Sequence, residues 1–132
     1  MATLWAEVIQ QRLAPSAKLV FVGHSNGGHC LSELLQAHGS EVLSRTAAIA
    51  LTDALWQGKS WTGQPQVINW VASGKPTGTA IEGCPDSNLQ RSAGSREHVY
   101  TTHAARGDFW PWLDAQVGTP SAEQTGEVHG EL

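Results

Sequence analysis

Near its beginning the sequence reads Leu19-Val20-Phe21-Val22-Gly23-His24-Ser25-Asn26-Gly27-Gly28. The apolar run from Lys18 to Val22 is typical of a short buried strand, and residues 23–28 are typical of a tight turn. Apolar side chains then recur at helical spacing, at Cys30, Leu31, Leu34 and Leu35. This spacing indicates a helix that ends near Gly39. The segment therefore predicts a strand, a turn and a helix in direct succession.

The turn contains the pattern G-x-S-x-G from Gly23 to Gly27, which is typical of the nucleophile elbow of α/β-hydrolases. In an elbow the serine, here Ser25, is strained, and small neighbours such as Gly28 let strand and helix cross closely. The helix start directs N–H groups at the site, so the Asn26 N–H is a natural oxyanion donor. Because the bare pattern arises by chance on the order of 0.1 times in such a chain, a glycine-rich turn without chemistry is the alternative.

A serine nucleophile requires a base, and the base requires an acid that orients it. In α/β-hydrolases the acid follows the serine along the chain and lies where a parallel strand ends. Asp53 meets both conditions, because it follows the apolar run from Ala47 to Leu51 and the polar Thr52. The alternative for Asp53 is a helix N-cap or a turn aspartate. Asp86 is the second candidate for the acid.

Two histidines that follow the last predicted strand, His98 and His103, are candidates for the base. His98 is the first choice, because it lies between a long loop and a short apolar segment and can face the sheet edge. The alternative is a solvated surface histidine. Of the earlier histidines, His24 is predicted to pack beside its strand, and His29 and His38 are predicted to be exposed on the helix. None of these histidines requires a metal site.

Strands and helices alternate along the chain, which predicts an α/β fold with a parallel sheet. The other predicted elements are a helix around Trp5, Val8, Ile9 and Leu13 that ends at Pro15, strands over Thr46 to Thr52 and Val67 to Ala72, and a final short helix around Phe109 to Leu113. The stretch from Ser73 to Arg96 shows no periodicity and is expected to be a long loop. Residues 1–117 are predicted to form the domain, and residues 118–132 a polar, mobile tail.

Composition restricts the classes of function. The chain has 132 residues, a formal net charge of −4, 40% apolar residues and 15% charged residues, which is typical of one globular domain. Its eight lysines and arginines form no basic run, which argues against direct binding to nucleic acid. No apolar run approaches the ~20 residues of a membrane span, and the first 13 residues do not form a secretory signal. Cys30 and Cys84 follow no metal-binding pattern, so free thiols are favoured over a disulfide and no cofactor is implied.

Four segments resemble, in the same order, the motifs of a known family. Residues 19–28 are similar to the elbow of the Argonaute-binding Arb-two domain family, which includes vertebrate cotranscriptional-regulator relatives. Ala48 to Asp53 resembles its second motif, Asn69 to Ser73 its third, and Ser92 to His98 its fourth. The resemblance covers most of the chain from Leu19 to about Trp112, and it is more specific than the elbow pattern alone.

The resemblance implies a partial α/β-hydrolase-type fold in which Ser25, Asp53 and His98 occupy the positions of a catalytic triad. It also implies a role in RNA silencing, chromatin or splicing control, with an Argonaute-type, chromatin or splicing protein as partner. We therefore expect a non-catalytic binding or regulatory module, and the alternative is a serine hydrolase that acts on an ester, thioester or amide. Large aromatic side chains are candidates to hold a protein partner. They are Trp56, Trp61, Trp110 and Trp112.

The chain departs from the family pattern at Asn26, where the family usually has a bulky residue, and at Ala54, where it has a serine. The family domain also has a long N-terminal half before the elbow, so the chain resembles the C-terminal half, and little catalysis is expected from it alone. Its first strand, Leu19 to Val22, is expected to have an unpaired edge or an exposed apolar face, through which the chain self-associates. The resemblance favours the nucleus or cytoplasm. The ending His129-Gly130-Glu131-Leu132 resembles an endoplasmic-reticulum retrieval signal, which would act only behind a signal peptide.

Overall fold

The computed structural model describes residues 1–56, 66–83 and 90–118. Its strands are β1 (Leu19–His24), β2 (Thr46–Thr52), β3 (Gln66–Val71) and β4 (Gln90–Ser92). Its α-helices are α1 (Ala2–Leu4), α2 (Gln10–Arg12), α3 (Gly27–Arg45) and α4 (Thr101–Val117). A π-helical segment (Trp5–Ile9) joins α1 to α2, and a 3-10 turn (His98–Tyr100) precedes α4.

The four strands form one parallel sheet in the order β1-β2-β3-β4. Strand β2 is central and nearly all apolar, which is typical of a parallel strand covered on both faces. Its side chains Ile49 and Leu51 pack in a cluster with α3, whereas Ala48 and Ala50 pack in a second cluster with α4. The predicted α/β class with a parallel sheet and flanking helices is therefore confirmed.

The helix after the turn is longer than the sequence predicts, because α3 continues past Gly39 to Arg45. Its axis is kinked at His38, where φ is −135° and ψ is 26°. Helical structure resumes beyond the kink, and Val42 is fully buried in the same cluster as Leu34. Burial of this side chain outweighs the local tendency of glycine to end a helix.

The region expected to be one long loop contains a strand, because Gln90–Ser92 pairs with the end of β3. Three residues are too few to show a sequence period, so this strand depends on its tertiary pairing. The last helix is also longer than predicted. Its buried residues recur every fourth position, at Thr101, Ala105, Phe109 and Leu113. Threonine and alanine in the first half of this stripe concealed the helical pattern.

Candidate active site

Ser25 lies at the tip of the turn between β1 and α3. Its φ angle of 52° is in the left-handed region, which is unfavourable for a residue with a Cβ atom. The Ser25 N–H donates to the Thr52 carbonyl at 3.2 Å. The Ser25 carbonyl accepts from the N–H groups of Gly28, at 3.3 Å, and Leu55, at 3.1 Å. The strained turn is thus held by the end of β2 and by the first turn of α3.

The glycines of the turn differ in how much space a Cβ atom would have at each position. A Cβ atom on Gly28 would lie 2.4 Å from the carbonyl oxygen of Leu55, so only glycine fits there. A Cβ atom on Gly23 would lie 3.1 Å from the side chain of Leu51. A Cβ atom on Gly27 would meet no described atom within 4 Å. Close packing therefore requires Gly28 and is tight at Gly23, whereas Gly27, which completes the sequence pattern, is not required by packing.

The structure brings Ser25, His98 and Asp53 together in one chain of hydrogen bonds. The distance from His98 Nε2 to Ser25 Oγ is 2.9 Å, and the distance from His98 Nδ1 to Asp53 Oδ2 is 2.6 Å. A carboxylate only accepts, so His98 Nδ1 carries a proton and donates it. In the neutral ring Nε2 is then free to accept from the Ser25 hydroxyl. This arrangement matches the geometry that general-base activation of a serine requires.

Asp53 is positioned by backbone contacts at the end of β2. Its φ angle of 45° is left-handed, and its N–H donates to the Trp70 carbonyl at 2.8 Å. Its Oδ1 atom accepts from the Ala72 N–H at 3.0 Å, which leaves Oδ2 for His98. Partial burial alone would raise the pKa of the Asp53 carboxyl. The hydrogen bonds from Ala72 and His98, with the nearby His98 and His24 rings, outweigh burial and hold that pKa below its ordinary value of 3.8.

His98 begins the 3-10 turn that leads into α4. Its carbonyl accepts from the hydroxyl of Thr101 at 2.8 Å, and Thr101 is fully buried. The His98 side chain is nevertheless 48% exposed, and that of Asp53 is 24% exposed. The backbone of the histidine is thus anchored to the core while its ring lies in an open site.

His24 also lies at the site, contrary to the expectation that it only packs beside its strand. Its ring contacts the ring of His98, with centroids 4.7 Å apart and an interplanar angle of 33°. Its Nδ1 atom lies 2.8 Å from the Thr52 carbonyl oxygen. Its position directly before Ser25 indicates that His24 lies near the site. That position does not predict which side chain its ring contacts.

The N–H of Asn26, the predicted oxyanion donor, has no backbone acceptor among the described residues. Asn26 itself is exposed and precedes the first residue of α3. Its N–H therefore stays available to an oxygen placed next to Ser25, and its role as a donor stays a prediction.

The family model of the Arb2 domain matches residues 1–74. This chain belongs to the Arb2 domain family. The Arb2 and Arb-two domains are the same family, whose motifs the sequence resembles. The matched part of the Arb2 domain contains Ser25 and Asp53, whereas His98 lies beyond it.

The chain is similar to curated relatives from distant organisms. It is 30% identical to "Cotranscriptional regulator ARB2A homolog" of Xenopus tropicalis over 120 residues, which cover 84% of this chain and 28% of that protein. It is 32% identical to human "Cotranscriptional regulator ARB2A" over 108 residues, which cover 75% of this chain and 25% of that protein. For the homolog of Dictyostelium discoideum the identity is 31% over 125 residues, with coverages of 84% and 31%. The chain thus spans about a quarter to a third of these relatives. No solved structure matches it.

The other motifs of this Arb2 domain support the site. The Asn69 side chain donates to the Ala54 carbonyl at 2.9 Å and accepts from the Ala54 N–H at 3.2 Å. This pair of bonds holds the segment that directly follows Asp53. The Ser92 hydroxyl donates to the Lys75 carbonyl at 2.8 Å, and it is fully buried. These polar residues therefore fix the loops around the site.

The remaining candidates lie apart from Ser25 or outside the described residues. His103 lies on α4 and packs against the ring of Tyr100, with centroids 4.6 Å apart. His29 lies on α3, where its Nε2 atom is 3.6 Å from Oε1 of Glu33. Trp110 is 53% exposed, whereas the other two described candidate tryptophans are partly buried against the core. The candidates outside the described residues are Trp61, Cys84, Asp86 and the ending His129 to Leu132.

Three further observations concern a thiol, metal ions and the membrane. Cys30 is a half-buried free thiol. Within the described ranges, no group of three or more histidine, cysteine, aspartate or glutamate residues is arranged to hold a metal ion. None of the helices in those ranges combines the length and the hydropathy that a membrane crossing needs.

Proposed function

We propose that this chain is a regulatory module on an α/β-hydrolase-like fold in which Ser25 is a reactive nucleophile. The observation that carries the proposal is the unbroken chain of hydrogen bonds from Ser25 through His98 to Asp53, with distances of 2.9 and 2.6 Å. A histidine oriented by a carboxylate takes the serine proton as the hydroxyl attacks. The strained φ of Ser25 supports the same role, because such strain is concentrated at functional sites.

The chemistry that we assign is acyl transfer from an ester, thioester or amide. Ser25 Oγ would form a bond to the carbonyl carbon while His98 Nε2 takes the hydroxyl proton. The Asn26 N–H would donate to the oxyanion. His98 would return the proton to the leaving alcohol, thiol or amine as its bond to the carbonyl carbon breaks. Asp53 would keep the charged His98 ring oriented throughout.

We expect the acyl-enzyme to form and to turn over slowly. His98 and Asp53 are 48% and 24% exposed, so the site excludes little water. Water screens the charges that stabilise a transition state, and the oxyanion donor assigned here is a single N–H group. An open site with a reactive serine fits a module that holds a partner better than an enzyme with high turnover.

The biological role that we propose is cotranscriptional control through a protein partner, in RNA silencing, chromatin or splicing. It is supported by membership of the Arb2 domain family and by the printed names of the relatives from Xenopus tropicalis and human, which are cotranscriptional regulators. The net charge of −4 and the absence of a basic run in the sequence favour a protein over nucleic acid as the direct partner.

A fluorophosphonate probe tests the reactive serine, because it labels serines that a base activates. We expect a single phosphonylated residue, Ser25, in the wild type and no adduct in Ser25→Ala. Ser44→Ala is the matched control, since Ser44 is an exposed serine whose hydroxyl donates only to the Glu41 carbonyl at 2.8 Å. Complete absence of label in the folded wild type would refute a reactive Ser25.

Turnover of p-nitrophenyl acetate distinguishes a regulatory module from an enzyme. We expect slow hydrolysis after any initial burst, and loss of both in Ser25→Ala. Rapid steady-state hydrolysis that Ser25→Ala abolishes would establish the alternative, a serine hydrolase that uses this site for turnover.

A further inference from the structure

The His98 ring is fixed at its edges and open on much of its surface. Its two nitrogens bond to Ser25 and Asp53, yet 48% of its side chain is exposed. Two hydrogen bonds on opposite sides of a ring restrain its in-plane position and allow it to rock about the line that joins them. Proton transfer from a serine to a base requires that the two groups are aligned. A further contact on the face of the His98 ring therefore affects the rate of that transfer.

That contact is provided by His24. The two imidazole rings are 4.7 Å apart at their centroids and inclined by 33°, which is within the range of a packed aromatic pair. His24 is itself anchored, because its Nδ1 atom lies 2.8 Å from the Thr52 carbonyl oxygen and 3.2 Å from Thr52 Oγ1. A carbonyl only accepts, so Nδ1 of His24 carries a proton and donates.

We infer that His24 is a positioning residue, whose anchored ring packs on His98 and keeps the base aligned with Ser25. This inference rests on the reactive serine proposed above and adds a residue to its machinery. It assigns to the residue before the serine a role that its place in the strand does not imply.

The anchor of His24 is shared with the nucleophile. The Thr52 carbonyl that accepts from His24 also accepts the Ser25 N–H at 3.2 Å. Thr52 is fully buried, and its hydroxyl lies 2.6 Å from the hydroxyl of Thr102 on α4. A single carbonyl therefore sets the positions of the serine backbone and of the ring that supports the base, and a hydroxyl pair connects it to the helix that follows His98.

Packing of the two rings gains importance when His98 takes the serine proton. The His98 ring then carries a positive charge, and a neutral imidazole face attracts a cation that lies against it. With a proton on Nδ1 alone, the His24 ring presents such a face. We therefore expect the contact to favour the state in which Ser25 has lost its proton.

Three substitutions separate the ring of His24 from its hydrogen bond. His24→Phe keeps a ring against His98, His24→Asn keeps a donor near the Thr52 carbonyl, and His24→Ala removes both. We expect the rate of fluorophosphonate labelling at Ser25 to fall about three- to tenfold in His24→Ala and His24→Asn, and to stay within about threefold of wild type in His24→Phe. His29→Ala is the matched control, because His29 is a half-exposed histidine that pairs with Glu33.

A second measurement does not depend on reactivity. Proton NMR of the full chain reports the His98 Nδ1–H that donates to Asp53, because that proton is visible only while the ring stays in place. We expect the signal in the wild type, in His29→Ala and in His24→Phe, and its broadening or loss in His24→Ala. Circular dichroism and thermal melts of each variant identify any that fail to fold, and the folded member of the His24→Ala and His24→Asn pair then decides.

The outcomes distinguish this inference from the proposed function. A wild type that shows the His98 proton, loses it in His24→Ala and never labels would refute a reactive Ser25 and retain the positioning role of His24. A wild type that labels at Ser25, with His24→Ala unchanged in rate and in the NMR signal, would overturn the positioning role alone. Equal slowing in His24→Phe and His24→Ala, or absence of the proton signal in the wild type, would also overturn it.

Discussion

At the scale of single residues, the site contains two non-glycine residues in left-handed backbone conformations. They are Ser25, with φ of 52°, and Asp53, with φ of 45°. Each such residue costs on the order of 1–3 kcal/mol, so the surrounding contacts must hold it in place. Backbone hydrogen bonds from neighbouring elements do so in both cases, and they make the positions of the Ser25 hydroxyl and the Asp53 carboxylate part of the fold itself.

The depressed pKa of Asp53 predicts how stability depends on pH. As pH falls below the ordinary value of 3.8, the unfolded chain binds a proton at this carboxyl while the folded chain still resists it. The contribution of Asp53 to stability is therefore present above that pH and is lost as pH falls through the folded pKa. Urea unfolding of the wild type and of Asp53→Asn should show a stability difference that shrinks in this acid range.

Asp53→Asn is a suitable reference for this experiment. Asparagine tolerates a left-handed backbone and keeps an oxygen to accept from the Ala72 N–H, so it removes the charge and the oxygen that accepts from His98 Nδ1. A difference in free energy of unfolding that stays constant, or grows, as pH falls below about 4 would show that Asp53 is not stabilised in its ionised form.

At the scale of elements, the strand, turn and α3 cross closely at one point. The backbone of Leu55 lies against Gly28, and it also donates to the Ser25 carbonyl. The first residue of α3, Gly27, faces open space instead. The sequence pattern requires Gly23 and Gly27 equally. The tightest contact in the structure instead involves Gly28, which lies just outside the pattern.

Gly28→Ala and Gly27→Ala form a matched pair that tests this difference. The new Cβ atom of Gly28→Ala would lie 2.4 Å from a backbone oxygen, and we expect it to destabilise the fold by about 1–3 kcal/mol. Gly27→Ala adds a methyl group in open space at a helix start, and we expect it to be neutral or to stabilise by up to about 1 kcal/mol. Thermal or urea unfolding gives the free energy of unfolding of both variants. Equal effects of the two substitutions would show that Gly28 on α3 does not pack against the backbone of Leu55 in this way.

At the scale of the whole molecule, the described sheet has β1 at one edge. Val20 and Val22 pair in register with Ala48 and Ala50 of β2, whose side chains pack with α4. The two valines are nevertheless 37% and 47% exposed, so α4 covers the centre of this face and leaves its edge uncovered. An apolar edge strand is a surface for pairing with a second chain, as the sequence predicts.

We predict that the purified 132-residue chain self-associates through β1. Val22→Lys places a charge on this edge and should shift the chain toward monomer in sedimentation velocity, with less binding of a hydrophobic dye. Val117→Lys is the matched control, because Val117 is 49% exposed at the end of α4. A wild type that stays monomeric at all concentrations tested, or a control that dissociates equally, would refute association through β1.

The predicted division of the chain into a domain and a polar tail stays a prediction. The domain over residues 1–117 includes every described element, and the described residues end at 118. The predicted compartment stays a prediction too. Its endoplasmic-reticulum alternative depends on the ending His129 to Leu132, which lies outside the described residues.

The parts of this protein that depend on neighbouring residues could be predicted from the sequence. The run of apolar side chains before Gly23 predicts β1, and the small residues after it predict the turn at Ser25. The apolar strand that ends at Thr52 predicts where Asp53 lies. Such features could be predicted because backbone strain, strand propensity and helix starts depend on residues a few positions apart.

The contacts between side chains that are distant along the chain could not be predicted in this way and depend on tertiary packing. His98 reaches Ser25 across 73 residues because a buried Thr101 anchors its turn and α4 packs on the sheet. Strand β4 exists through its pairing with β3, and His24 meets His98 through the shared end of β2. No local pattern encodes these contacts, since each depends on strand register and helix docking, which are set by burial summed over the whole core.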